Sequence, residues 1–220
     1  LQQEDMMSNI NFEWLKENLK NEQVIFDIGC ADMYDTIILK NEFPQNKIFA
    51  FECSRKFSTQ NIQKAKKYDI TYFDGAVGEY DGKTFFYPSK SLRQEDWPWS
   101  GSTLQPTKNL LTSEWEWDQP YEVDTISLNL FCERHSIIPD FIHIDAQGAE
   151  YSIFKSLKHE YRPKIIWTEI SEFQNYASGV TADDFYVLMK TLGYKEHHRA
   201  MHDSLFVLDT YDFTEYTEKR

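Results

Sequence analysis

Val24-Ile25-Phe26-Asp27-Ile28-Gly29-Cys30 and Phe49-Ala50-Phe51-Glu52 decide the reading of this chain. Each is a short apolar run closed by a polar residue or glycine, the pattern of a buried parallel strand whose C-terminal end carries chemistry. Between them residues 34–43 read as a helix that stops at Pro44. The unit is strand–helix–strand, and its second strand ends in an acid 25 positions beyond Asp27. An acid there suits the two ribose hydroxyls of an adenosine-containing cofactor. The first turn holds one glycine rather than the three of a dinucleotide fingerprint. A pyrophosphate needs those glycines, because the backbone must approach it closely. The expectation is therefore an adenosyl cofactor without one, such as S-adenosylmethionine.

Working outward, residues 9–20 carry Phe12, Leu15 and Leu19 at helical spacing. Ser54 is placed to cap a helix running to about Lys67. Residues 70–76 read as a third strand, followed by Asp81-Gly82 and Thr84-Phe85-Phe86-Tyr87, a hairpin signal. Residues 89–119 show no period and hold four of the six tryptophans, which predicts a lid or binding loop inserted into one domain spanning 1–220. Beyond it come a strand at Val123–Ile126, a helix through about His135, a buried strand at 140–145 and a helix with Ile153, Phe154, Leu157 and Tyr161 on one face. Residues 164–169 give a fifth strand, Thr181–Asp184 a capping box, and 194–198 with 204–209 a closing antiparallel pair. The charged tail after Thr210 is expected to fray. The fold class is α/β: a doubly wound, mostly parallel, seven-stranded sheet with an antiparallel C-terminal pair, a Rossmann-like arrangement.

Ligands of such sheets bind outside the carboxyl ends of the strands. Gly29, Glu52, Asp74, Asp145 and Glu169 all stand at such ends. The whole-chain properties narrow the partners. A net charge of −13 opposes binding to nucleic acid, whose affinity rests on cationic neutralisation. No apolar run approaches the ~18 to 20 residues of a membrane span. Cys30, Cys53 and Cys132 are odd in number and widely spaced, which fits a reducing cytoplasm better than a disulfide framework. Leu1-Gln2-Gln3-Glu4-Asp5 lacks the basic-then-apolar order of a secretion signal, and the chain reads as a processed form or one domain of a longer protein.

Three motifs resemble the FkbM-type family of S-adenosylmethionine-dependent O-methyltransferases, from about Val24 to Val207. They are Phe26-Asp27-Ile28-Gly29 with Thr36, Phe49-Ala50-Phe51-Glu52, and Ile142-His143-Ile144-Asp145-Ala146-Gln147-Gly148-Ala149-Glu150. The last is similar to the family's Lys-Ile-Asp-Val-Glu-Gly-Ala-Glu signature. Asp81-Gly82, Ser100-Gly101-Ser102-Thr103-Leu104 and Trp167-Thr168-Glu169-Ile170 support it. Four positions depart from the pattern: Ala31 for Asn, Met33 for a second Gly, His143 for Lys and Gln147 for Glu.

The resemblance implies roles that agree with the residue chemistry. Asp27 and Gly29 would line the methionine side, Glu52 would accept both ribose hydroxyls, and Asp74, Gly75 and Ala76 would frame the adenine. Ala31 and Cys53 border the same pocket. Methyl transfer to a hydroxyl needs alignment and a base or a metal. Asp145 is the first candidate for that base. With Glu169 it could instead hold Mg²⁺ or Mn²⁺ through hard oxygen ligands. The bland reading of Asp145 is a helix cap. His143 is a second catalytic candidate, with a satisfied core histidine as its bland reading. Trp97, Trp99, Trp115 and Trp117 suit a sugar acceptor, since flat rings cover the apolar faces of sugars, or else they pin the loop. Rival readings are N- or carboxyl-methyl transfer, a non-catalytic adenosyl- or glycan-binding relative, and a nicotinamide dehydrogenase.

Overall fold

The computed structural model describes residues 10–19, 23–91, 104, 115–170, 180–200 and 202–217. Its strands include β1 (Val24–Ile28), β2 (Lys47–Glu52), β3 (Thr71–Asp74), β4 (Ala76–Gly78), β5 (Gly82–Phe86) and β6 (Ser89–Ser91). They continue with β7 (Trp115–Trp117), β8 (Tyr121–Ser127), β9 (Phe141–Ile144), β10 (Ile165–Glu169), β11 (Tyr194–Ala200) and β12 (Asp203–Leu208). The helices are α1 (Phe12–Asn18), α2 (Tyr34–Glu42), α3 (Arg55–Tyr68), α4 (Leu128–His135), α5 (Glu150–Lys155) and α6 (Ala182–Thr191).

Seven strands form the main sheet in the order β11-β12-β10-β9-β1-β2-β3. Neighbours from β10 to β3 are parallel, while β12 runs antiparallel to both β10 and β11. The order reverses between β1 and β9, so the C-terminal ends of these two strands open a crevice there. The expected sheet and its closing pair are both present.

Alternation along β1 explains why both faces are covered. Phe26 and Ile28 enter one core; Ile25 enters the other. On the first face Phe26, Phe49 and Phe51 surround Phe131 of α4, with ring centroids 5.6, 5.6 and 4.7 Å away in edge-to-face geometry. On the second, Trp14 and Leu15 of α1 share a core with Ile25, Ile48, Phe141 and Trp167. Helix starts follow local chemistry. Ser127 accepts from the Leu130 amide at 3.3 Å, and Thr181 and Asp184 form a reciprocal capping box.

Three expectations change. The Asp81-Gly82 turn does not close a hairpin, because β8 lies between β4 and β5 in a separate sheet of order β4-β8-β5. Asp81 explains the switch: its carboxylate accepts from the Ser127 amide at 2.8 Å and hydroxyl at 3.1 Å, tying the turn to β8. Ser54 stands at the N-cap position of α3 but makes no side-chain capping bond. The tail is not frayed through residue 217. Tyr216 accepts from the Asn11 amide at 2.7 Å, and the Thr214 carbonyl accepts from Trp14 Nε1 at 2.9 Å, so the tail clasps α1. Of the predicted loop, β6 and β7 pair antiparallel, Ser89 opposite Trp117. Trp97 and Trp99 lie outside the described residues.

Candidate active site

Gly29 turns the chain out of β1 with φ +83°. A Cβ there would sit 1.9 Å from the Asp145 carbonyl oxygen, so only glycine lets the β1 and β9 ends approach this closely. The approach is fixed by backbone bonds. The Asp145 amide donates to the Ile28 carbonyl at 2.9 Å, and the amides of Gly29 and Cys30 donate to the Phe51 carbonyl at 2.9 and 3.0 Å. Ala31 (φ +43°) and Met33 (φ +65°) continue the turn in left-handed geometry without glycine. Local strain of that kind persists only where surrounding structure holds it.

The turn aims the Ala31 amide at Glu52. Ala31 donates to Glu52 Oε2 at 2.9 Å, and Ser54 donates to Oε1 at 2.6 Å. Each carboxylate oxygen receives one backbone donor and retains capacity for another. Surrounding protein pushes the Glu52 carboxyl up to about 7, against the pull of those amides. Its surface remains partly accessible on the cleft side.

A cleft runs from Glu52 to Asp145. Gly75, Ala76, Cys53 and Ala31 line it. Phe57, Val77, Phe86 and Leu104 supply an apolar wall that the motif reading did not single out. The signal was present in the Thr84–Tyr87 run, but a hairpin reading gave Phe86 no reason to face a ligand.

At the far end, β9 stops at Ile144 and the chain turns, which brings Asp145 into the cleft lining with Ala146 and Gln147. Gln147 (φ +48°) and Gly148 (φ +97°) make that turn. Glu150, not Asp145, caps it: its carboxylate accepts from the Ala146 amide at 2.6 Å and the Gly148 amide at 2.8 Å. The N-cap position of α5 is Ala149, four residues beyond Asp145, and it carries no side-chain capping bond. Burial, then the neighbouring Glu150, raises the Asp145 carboxyl to about 7. Burial likewise raises Glu150 to about 7.

Several predicted residues stand elsewhere. Asp27 is fully buried and absent from the cleft lining; its carboxylate accepts from the Thr36 hydroxyl and meets His143 Nδ1 at 2.8 Å. His143 is 2% exposed and does not reach the cleft. Strand alternation ends at Ile144, so the i, i+2 spacing of His143 and Asp145 does not put the two side chains on one face. Burial disfavours its charge, yet the Asp27 hydrogen bond and the surrounding acids lift His143 to about 9. Asp74 is exposed and takes the Ser58 hydroxyl at 2.6 Å, directed toward α3 rather than the cleft.

Glu169 is brought near Asp145, but not as a cation pair. The Gln147 side-chain amide donates to Asp145 Oδ1 and to Glu169 Oε2, the latter at 3.2 Å. Among the described residues no group of three or more His, Cys, Asp or Glu is arranged to hold a metal ion. The point between the two carboxylates receives hydrogens from the Gln147 amide rather than a further oxygen ligand, so the residues as arranged do not fit the expected Mg²⁺ or Mn²⁺ there. No helix among the described residues is long and apolar enough to cross a membrane.

The sequence pattern of the methyltransferase FkbM domain matches residues 27–196. The 2-O-methyltransferase NoeI of Sinorhizobium fredii (strain NBRC 101917 / NGR234) is 30% identical over 164 residues, covering 71% of this chain and 67% of NoeI. The solved structure of methyltransferase FkbM from Methylobacillus flagellatus KT superposes with a TM-score of 0.50 at 13% identity. That match covers 84% of this chain but only 43% of the solved one, and it bears on the fold alone.

Proposed function

This chain belongs to the FkbM family of S-adenosylmethionine-dependent methyltransferases, and we propose that it methylates a hydroxyl group of a sugar. The observation that carries the reading is Asp145: a carboxyl in the cleft wall, raised to about 7, with Oδ1 held by Gln147 and Oδ2 without a hydrogen bond from the described residues. A hydroxyl acceptor requires a group that removes its proton, and a carboxyl of this basicity is matched to that task near neutral pH. A carboxylate acceptor would need no base and would be repelled by Glu52 and Asp145. The similar protein NoeI is a 2-O-methyltransferase, which supports the same choice.

In this reading S-adenosylmethionine supplies a methyl group on a positively charged sulfur. Glu52 accepts the two ribose hydroxyls, one on each oxygen, while the Ala31 and Ser54 amides hold the carboxylate in place. Phe57, Val77 and Phe86 would offer the adenine an apolar wall, and Gly75 and Ala76 would leave room at its edge. The Gly29 turn would leave space for the methionine end near Asp145. Asp145 would take the proton of the acceptor hydroxyl, whose oxygen would receive the methyl group that the cofactor supplies. Holding both partners in line is the larger share of the acceleration. The tryptophans at 97, 99, 115 and 117 are proposed to face the sugar, and His143 is assigned a structural rather than catalytic part.

The test is transfer of label from methyl-labelled S-adenosylmethionine to a panel of methyl glycosides, read by mass spectrometry. Product carrying an O-methyl ether supports the reading. Labelled methyl esters or N-methyl products, formed from matched carboxylate or amine acceptors instead, would overturn it.

A further inference from the structure

Asp145 directly follows β9 and Glu169 ends β10, its parallel neighbour, so two carboxylates that could share a hard cation stand at adjacent strand ends. Here the position between them is filled by protein. An amide nitrogen carries two hydrogens, and Gln147 directs Nε2 at both carboxylates, at Asp145 Oδ1 and at Glu169 Oε2 (3.2 Å). The side chain reaches that point because its own backbone is left-handed, next to Gly148, inside a turn that Glu150 ties down.

We infer that Gln147 is a positioning residue whose amide replaces a bridging cation, holding Asp145 beside Glu169 so that methyl transfer proceeds without a divalent metal. The inference rests on the reading of Asp145 as the proton acceptor. The amide fixes Oδ1 and leaves Oδ2 for the acceptor hydroxyl. A carboxylate at 147 would put three acids around one point, which a hard cation would hold together in competition with retained protons. The residue type at 147 thus decides whether this site is metal-free.

The experiment is a Mn²⁺ titration followed by electron paramagnetic resonance, with no substrate present, on wild type, Gln147→Glu and the double variant Gln147→Glu/Glu169→Gln. Wild type should leave Mn²⁺ free. Gln147→Glu should bind it at least ~10-fold more tightly, because each added carboxylate raises affinity for a hard cation. The double variant should lose that gain. On the glycoside panel, wild-type transfer should be indifferent to chelator and Gln147→Glu transfer should require Mn²⁺. If Gln147→Glu melts cooperatively yet binds Mn²⁺ no better than wild type, the amide does not stand in the bridging position. Wild-type Mn²⁺ binding abolished by Asp145→Asn would overturn the inference as well. Should Gln147→Glu fail to fold, Gln147→His places a neutral ligand at the same point and is read with Co²⁺ by the same criteria. Ion binding is measured without turnover, so this result and the fate of Asp145 as a base are separable.

Discussion

Asp27 and His143 face each other across neighbouring parallel strands, Oδ1 to Nδ1 at 2.8 Å, both shut away from solvent beneath the cleft. The Thr36 hydroxyl of α2 completes the group by donating to the other Asp27 oxygen. Asp27 and His143, both expected at the ligand from their motifs, are therefore part of the floor beneath the β1 turn and the β9 turn. Charges buried this deeply persist only when paired.

Removing the histidine leaves Asp27 buried with one hydroxyl as its partner. His143→Leu is expected to lower folding stability by roughly 3 to 5 kcal/mol, the scale for breaking one side of a buried pair. Urea unfolding followed by circular dichroism measures it. A loss below about 1 kcal/mol would mean that the pair is not needed to compensate Asp27.

Glu52 is the hinge of the cofactor assignment. Glu52→Ala should weaken binding of S-adenosylhomocysteine by about 1.5 to 3 kcal/mol, the scale of charge-assisted hydrogen bonds. Calorimetry on a variant that still melts cooperatively decides it. Unchanged affinity would remove Glu52 from the site.

Stability should depend on pH with a definite sign. Glu52, Asp145 and Glu150 each hold their proton to about 7 in the fold, above the ordinary carboxylate value, so the folded state binds more protons than the unfolded one between about 4.5 and 7. Their contribution is present below that window and is lost as pH rises through it. His143 acts in the same direction, losing its contribution as pH climbs toward about 9. The melting temperature of the ligand-free protein should therefore fall from pH 5 to pH 9, and Glu52→Gln should flatten the lower half of that slope. A wild-type melting temperature that rises across the range would contradict the burial of these acids.

Turnover should run the other way. If Asp145 must be ionised to take a proton, kcat rises with pH through about 7, provided the assay stays below the temperature at which the protein unfolds. A flat profile from pH 5 to 9 would point to a step that needs no base.

Much of this was legible in the residues, for identifiable reasons. The apolar runs ending at Gly29, Glu52, Asp145 and Glu169 are true strands with those residues at their C-terminal ends, because a strand buried on both faces leaves an uninterrupted apolar signal. The side-chain directions beyond each strand were not legible. Asp145 turns into the cleft while His143 stays in the core, since the alternation rule lapses where β9 ends at Ile144. The β4-β8-β5 sheet was missed because a long-range bond from Asp81 to Ser127 outweighs the local Asp-Gly turn signal. The clasp of the tail on α1 depends on Tyr216 and Thr214 meeting Asn11 and Trp14, some two hundred positions away, and no local pattern announces it. Gln147 stood out in the sequence as a departure from the family pattern. Its meaning needed the positions of two carboxylates from different strands.

The most direct measurement is single-turnover methyl transfer by Asp145→Asn, beside its affinity for S-adenosylhomocysteine. Asparagine keeps the size of the side chain and a carbonyl oxygen for the Gln147 amide, but cannot take a proton. The account predicts affinity close to wild type and a transfer rate at least ~100-fold lower, the lower range for loss of a general base. Transfer at the wild-type rate with affinity intact would contradict it, and would leave Asp145 as part of the cleft wall with no part in the chemistry.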